Sequence, residues 1–153
     1  ENLGERMHHA FEALFGKGYK QVLVVGSDIP TLPLDYYKQA LALLGTNDLV
    51  LGPAEDGGYY LIGLKQPQPE LFTGIAWSTD LVLATTQEKA AGLGLKTALL
   101  PPWRDVDTIE DLKALMDASA ADAKKPKNEQ AFSTRTAGAL QHLAKRLRSQ
   151  PSP

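Results

Sequence analysis

Hydrophobic residues recur along the chain with two periods, one typical of helices and the other of buried strands. The first segment places apolar residues on one helical face and ends at Gly16: Met7, Ala10, Phe11, Leu14 and Phe15. Short continuous apolar runs follow, as expected for strands that helices cover on both faces: 21–25, 49–51, 59–64 and 95–100. Helical patterns alternate with them: 34–44, 78–91 and 109–116. This alternation predicts an α/β domain with a mainly parallel sheet.

The pattern changes after residue 117. Residues 118–129 are small and polar with one proline, and we interpret them as a linker. An amphipathic helix is predicted within 130–149, with apolar residues on one side: Ala139, Leu140, Leu143 and Leu147. We expect this helix to pack on the domain formed by residues 1–117.

Composition narrows the class of protein. The 153 residues carry a net charge of -2 and no cysteine, which excludes disulfides and thiolate metal sites and suits a cytoplasmic protein. No basic tract dominates the chain, so we expect no nucleic-acid partner. Because no apolar run approaches the roughly 20 residues of a transmembrane helix, we expect no membrane span.

An aspartate follows the first apolar run. Asp28 stands in the segment GSDIPTLP, directly beyond the predicted strand, and ligands of open α/β sheets bind beyond the carboxyl ends of the strands. A hard cation such as Mg²⁺ prefers oxygen ligands and takes one or two carboxylates together with substrate phosphates. Asp28 is therefore a candidate for a metal or phosphate-linked site. The alternative is that Asp28 only caps the turn before Pro30.

A second acidic segment, WRDVDTIEDL, follows the last predicted strand. Asp105 and Asp107 are two residues apart, so their side chains point to the same side if the segment is extended. The alternative is that Asp107 or Thr108 caps the next helix, whose dipole favours the acidic residues that follow. The metal-site interpretation gains weight if this segment lies beside Asp28.

The segment GPAEDGGYYLIGL holds a third group of candidates. Gly57 and Gly58 allow positive φ and the close approach of a ligand to the backbone, and Glu55 and Asp56 precede them. A tight turn between two strands explains the glycine pair equally well. No Lys-Ser or Lys-Thr pair follows the glycines, which excludes a P-loop.

A fourth segment, IAWSTDL, offers an aromatic ring and two hydroxyl groups. Trp77 either stacks on a base or sugar of the substrate or belongs to the core. Ser78 is predicted to cap a helix that runs to about Ala91. This segment therefore has a structural explanation as well as a functional one.

Five segments occur in the order seen in a bacterial glycosyltransferase-A-like family: LGERMHHAF, GSDIPTLP, LGPAEDGGYYLIGL, WST and DVDTIEDL. The chain resembles this family over about Leu3 to Leu115. The family is known as radical-SAM/selenodomain-associated transferase, or arsenosugar-biosynthesis glycosyltransferase. It belongs to the nucleotide-diphospho-sugar transferase superfamily, where guanylyltransferases and cytidylyltransferases are relatives.

This resemblance implies a three-layer α/β/α domain and a metal-dependent transferase with a nucleotide-activated donor, most simply a glycosyltransferase. The implied partners are Mg²⁺ or Mn²⁺, a nucleotide-sugar or nucleoside triphosphate, and a small-molecule acceptor. Asp28 and Asp107 match the metal ligands of the superfamily, and Asp105 is a nearby candidate. The metal would polarise and orient the diphosphate as a Lewis acid.

The same resemblance implies roles for the two middle segments. Glu55 and Asp56 become acceptor-binding or base groups, so that the catalytic candidates are Asp28, Glu55 and Asp56. The substrate-binding candidates are Gly57, Gly58, Tyr59, Trp77, Ser78 and Thr79.

The family's domain carries a further segment before LGERM, with the first strand and the loop that holds the nucleotide phosphates. We therefore expect residues 1–117 to be the C-terminal portion of that domain, without the nucleotide cradle. A sheet that lacks its first strands exposes an edge or an apolar face. Self-association that covers this gap is the expected consequence.

Other functions stay open at the level of the sequence. A nucleotidyltransferase of the guanylyl or cytidylyl type uses the same fold and metal. A non-catalytic assembly module of this fold is a further alternative. A phosphohydrolase with Asp28 as nucleophile is disfavoured, because Pro30 stands where a second aspartate would act as acid and base.

Overall fold

The computed structural model describes residues 2–27, 29, 32–103, 109–127, 130, 132 and 134–148, with side chains up to residue 145. The helices in this part are α1 (Leu3–Gly16), α2 (Leu34–Leu44), α3 (Val82–Gly92), α4 (Ile109–Asp122) and α5 (Thr134–Arg148), and a 3₁₀ turn lies at Pro69–Phe72. The strands are β1 (Val22–Val25), β2 (Leu49–Pro53), β3 (Tyr59–Leu64) and β4 (Thr97–Leu99).

The chain forms two compact units. One comprises Glu1–Ser27 and Leu34–Arg104 and contains the described sheet with α1, α2 and α3. The other comprises Asp28–Pro33 and Asp105–Pro153 and contains α4 and α5, which pack on each other. The division of the chain at 117 that we predicted falls inside α4.

The helix α4 extends beyond the point where we predicted a linker. It continues to Asp122, so the first five residues of the predicted linker 118–129 are helical. The reason is local, because this stretch contains three alanines, the strongest helix former: Ala118, Ala120 and Ala121. Asp122 then accepts the Phe132 N–H at 3.0 Å and pairs with the Lys125 ammonium at 3.2 Å, which holds the chain that follows the helix.

The helix α1 begins at a capping box and buries the stripe predicted for it. The Asn2 side chain accepts the Glu5 N–H at 3.0 Å, and the Glu5 carboxylate accepts the Asn2 N–H at 2.9 Å. Met7 and Phe11 are buried, as the helical spacing predicted. The cap and the apolar stripe thus fix both the start of α1 and the face that it turns to the sheet.

The described sheet has the strand order β1-β3-β2-β4. β3 pairs antiparallel with both β1 and β2, whereas β2 and β4 are parallel. The α/β class is confirmed, and β1, β2 and β4 share one direction as expected. The sheet is nevertheless mixed, because the short turn between β2 and β3 joins antiparallel neighbours and β3 lies between β1 and β2.

Helices cover both faces of the sheet. On one face, α1, the 3₁₀ turn and α3 close a core whose members are buried hydrophobic residues: Met7, Phe11, Val22, Leu49, Leu51, Ile62, Leu64, Leu71, Phe72 and Ala90. On the other face, α2 packs on β2 and β3, and Leu44 lies over Gly63. Each layer therefore buries its apolar side against the sheet.

Candidate functional site

The strands β1, β2 and β4 end on the same edge of the sheet, which we call the carboxyl edge. Two hydrogen bonds hold the segments beyond these strands, because the Gly26 N–H donates to the Tyr60 carbonyl at 3.0 Å and the Trp103 N–H donates to the Pro53 carbonyl at 3.0 Å. Ala54 and Trp103 form a parallel bridge there. Ligands of open α/β sheets bind beyond such an edge, which makes it the candidate site.

The chain between β2 and β3 forms a tight turn at this edge. The Ala54 N–H donates to the Gly58 carbonyl at 3.1 Å, and the Gly57 N–H donates to the Ala54 carbonyl at 3.3 Å. Asp56 accepts the Gly58 N–H at 2.9 Å, while Gly57 has a φ of 88°. The glycine pair is thus a strand-to-strand turn, and one Asp56 oxygen stabilises it.

This turn is fastened to the segment before α3. The Leu83 N–H donates to the Gly57 carbonyl at 2.9 Å, and a Cβ atom at Gly57 would overlap the backbone of Asp80. Glycine is required at this position by its positive φ and by this close approach. The two segments that carry most of the predicted site residues are therefore in direct contact.

Ser78 does not cap α3, so that prediction is wrong. The helix begins at Val82, because the chain first makes a turn in which the Thr79 hydroxyl donates to the Ala76 carbonyl at 2.8 Å and accepts the Leu81 N–H at 3.4 Å. Ser78 is exposed and has a φ of 64°, a left-handed conformation that is uncommon outside glycine. Such strain, of order 1–3 kcal/mol, clusters at functional sites.

Trp77 is half-buried and packs against the core. Its indole lies against Gly4 of α1, where a Cβ atom would stand 2.6 Å from the ring, and it covers the hydrophobic core. The structural alternative therefore accounts for this ring, and Gly4 is buried because of it.

Tyr59 and Tyr60 lie on opposite faces of the sheet. Gly52 faces Leu61 and Pro53 faces Tyr59, so Tyr60 is the extra residue of a β-bulge. Tyr59 packs on the core with its hydroxyl beside Thr86, and burial raises the pKa of Tyr59 to about 12. Its hydroxyl therefore points to α3.

Tyr60 belongs to an aromatic cluster that the sequence alone did not reveal. Tyr36 of α2 lies 6.3 Å from the Tyr60 ring and 5.1 Å from the Trp103 ring, which it meets edge to face at 69°. The Tyr60 hydroxyl donates to the Pro101 carbonyl at 2.9 Å. Burial raises the pKa of Tyr60, and the neighbouring Tyr36 hydroxyl acts in the same direction. The signal in the sequence was Trp103 itself, placed just before the acidic segment.

Comparison with known proteins identifies the relationship. Residues 1–79 match the family model described as "Uncharacterized protein conserved in bacteria (DUF2064)". The chain belongs to this family. No significant match was found among the curated proteins.

A solved structure extends the relationship beyond the part matched by the family model. It is the 1.90 Å crystal structure of a "putative nucleotide-diphospho-sugar transferase" from Desulfovibrio desulfuricans G20, with 37% identity and a TM-score of 0.78. The match covers 96% of this chain and 61% of that chain. This chain therefore has the α/β fold of a nucleotide-diphospho-sugar transferase-like protein. It spans about three fifths of the length of that neighbour.

The predicted metal ligands of this family member, Asp28, Asp105 and Asp107, lie outside the described residues. Among the described residues, no group of three or more His, Asp or Glu side chains could hold a metal ion. The metal site thus stays a prediction. In the same part of the chain, no helix has the length and apolar character needed to cross a membrane.

Proposed function

We propose that this protein is a metal-dependent glycosyltransferase, which moves a sugar from a nucleotide-activated donor to a small-molecule acceptor. The observation that carries the proposal is the 37% identity to the named transferase across 96% of this chain. The carboxyl edge supports it, because exposed carboxylates and an aromatic cluster meet where α/β folds bind ligands.

The turn between β2 and β3 provides the acceptor side of the proposed site. Glu55 and Asp56 are exposed at its tip, and one Asp56 oxygen is held by the Gly58 N–H. A carboxylate fixed in this way can accept a hydrogen bond from an acceptor hydroxyl and take its proton as the new bond forms. The contact between Gly57 and the segment before α3 keeps these groups in place.

Mg²⁺ or Mn²⁺ is the proposed cofactor, with Asp28, Asp105 and Asp107 as its carboxylates. In sequence, Asp28 directly follows Ser27, and Asp105 is two residues beyond Trp103. A divalent ion would supply Lewis-acid stabilisation of the diphosphate leaving group.

Further parts of the proposal concern the whole protein. The donor is a nucleotide-sugar, the location is the cytoplasm, and the reaction belongs to the radical-SAM-associated or arsenosugar group of transferases. We also propose self-association through an edge of the sheet.

The test uses the natural full-length protein with a panel of nucleotide-sugars and nucleoside triphosphates, with Mn²⁺ present or chelated. Calorimetry measures nucleotide binding, and release of nucleoside diphosphate measures turnover. We expect Asp28→Ala and Asp107→Ala to weaken metal-dependent nucleotide binding about tenfold or more. The matched control is Asp35→Ala, because Asp35 is exposed on α2 and pairs only with Lys38 in the described structure.

Two results would contradict the proposal. One is nucleotide binding that is equal with and without metal, or equal in all three variants, which would contradict a metal-dependent donor site. Release of pyrophosphate from a nucleoside triphosphate, with no nucleoside diphosphate formed, would indicate a nucleotidyltransferase instead.

A further inference from the structure

The carboxyl edge holds a pair of aromatic rings that has no assigned role in the proposed transfer reaction. Tyr36 and Trp103 meet edge to face with their ring centres 5.1 Å apart, and both are half-buried. Half-buried rings of this kind combine an apolar face with a polar group at the rim, the indole N–H or the phenol hydroxyl. They can therefore stack on a ligand and orient it at the same time.

Regular structure fixes the position of both rings. Tyr36 stands in the first turn of α2, which packs on β2 and β3. The Trp103 backbone is tied to β2 by its hydrogen bond to Pro53 and by its bridge to Ala54. Trp103 consequently lies beside the end of β2, next to the turn that carries Glu55.

Tyr60 contacts Tyr36 and the segment that leads to Trp103, and so helps to position both rings. Its ring is only 2% exposed, and its hydroxyl holds the Pro101 carbonyl, two residues before Trp103. Gly52 makes room for that ring, because a Cβ atom there would overlap it. The bulge at Tyr60 turns the ring to the side of α2, where it reaches Tyr36 and Pro101, just after β4. A binding surface that is ordered in advance loses little entropy when a ligand arrives.

We propose that Trp103, braced by Tyr36 and positioned by Tyr60, is the ring-binding wall of the carboxyl edge. It stacks on a ring of the substrate, and hydroxyl groups on that substrate reach the carboxylates of Glu55 and Asp56. This inference rests on the proposed transferase function and names the chemistry that the site selects. This ring has two sources in such a reaction, the nucleoside of the donor and the sugar or other hydroxylated ring of the acceptor.

Tryptophan emission gives a readout that does not depend on turnover. The chain has two tryptophans, and Trp77 is packed on Gly4. The probes are uridine diphosphate and guanosine diphosphate for the donor, and methyl glucopyranoside for the acceptor. We expect one class of probe to change the emission in a saturable way in the wild type and not in Trp103→Phe, and the responding class identifies the source of the ring.

A second measurement separates binding from positioning. Trp103→Ala is expected to weaken binding of the responding probe about tenfold, as for the loss of one aromatic stacking partner. Tyr60→Phe is expected to raise the KM for the corresponding substrate several-fold with little change in kcat, because it loosens the wall without touching the reacting groups. Tyr19→Phe is the matched control, since Tyr19 is exposed at a distance from the edge.

The outcomes distinguish this inference from the function on which it rests. Binding of the responding probe that is unchanged in Trp103→Ala, or an emission change that persists in Trp103→Phe, would overturn the ring-binding wall and leave the transferase proposal standing. Absence of both nucleotide binding and turnover in the wild type would overturn the transferase proposal, and the wall with it.

Discussion

The Tyr60 hydroxyl donates a 2.9 Å hydrogen bond to the carbonyl oxygen of Pro101, 41 residues further along the chain. The bond joins β3 to the segment that leaves β4, although these two strands are not neighbours in the sheet. Because the Tyr60 ring is buried while Pro101 is exposed, the bond is partly shielded from competing water. It therefore fixes the direction in which the chain departs toward Trp103.

Removal of this hydroxyl is expected to destabilise the protein. Tyr60→Phe keeps the ring and deletes one part-buried hydrogen bond, which leaves the Pro101 carbonyl without that donor. We expect the free energy of unfolding to fall by about 1 kcal/mol, measured by urea denaturation. Tyr19→Phe removes an exposed hydroxyl and should leave the unfolding free energy unchanged. An equal loss in both variants would contradict the importance of the bond.

A second prediction concerns the effect on stability of the close approach of Gly57 to Asp80. Gly57→Ala combines a positive φ with an overlap against backbone, and we expect it to lower the unfolding free energy by about 3 kcal/mol or more. Gly74→Ala is the matched control, because Gly74 has a φ of 65° but, in the described part of the chain, no atom within 4 Å of an added Cβ. It should cost only about 1 kcal/mol, the strain of the backbone alone. Similar losses in the two variants would show that the turn can move away from Asp80.

Ser78 offers a test in the stabilising direction. Ser78→Gly relieves a φ of 64° and is expected to raise the unfolding free energy by about 1 kcal/mol. Ser78→Val should lower it, since a β-branched side chain tolerates this conformation least. Ser78→Ala separates the hydroxyl from the backbone, because it removes the oxygen and keeps the strain. Thermal denaturation of the three variants checks the order, and a glycine variant less stable than the wild type would contradict it.

Asp48 predicts a dependence of stability on pH. The Lys96 N–H donates to one Asp48 oxygen at 2.9 Å and the Lys65 ammonium lies 3.1 Å from the other, and these contacts hold the pKa of Asp48 below its usual value of 3.8. The folded state therefore favours the charged form. The resulting stabilisation is present above about pH 4 and is lost as the pH falls through the lowered pKa.

Comparison of the wild type with Asp48→Asn measures this effect. We expect the variant to be less stable at pH 7, with a difference in unfolding free energy that narrows as the pH is lowered from 5 toward 2. Urea denaturation at each pH gives the difference. A difference that stays constant over this range would mean that the Asp48 side chain contributes to stability through its shape and not through its charge.

The candidate site was only partly predictable, as two pairs of residues show. The acidic turn was found because Glu55, Asp56 and the glycines stand together in the sequence. Tyr36 and Trp103 were missed because their contact depends on α2 and the end of β4 meeting over the bulge in β3. Ser78 was assigned to a helix cap because its type fits one, whereas its φ follows from the turn at Thr79.

The sequence by itself determined the α/β class, the approximate bounds of the strands and the stripe that α1 buries, because these follow from local hydrophobic periods. The single strand β3 shows what it could not determine. Its bounds were predicted as 59–64, but only the tertiary structure decided that it runs against β1 and β2 and carries a bulge at Tyr60. Strand order and direction depend on contacts between residues far apart in the chain, and no local period records them. Contacts of this kind also bring together the aromatic cluster at the carboxyl edge, whose three residues come from separate segments.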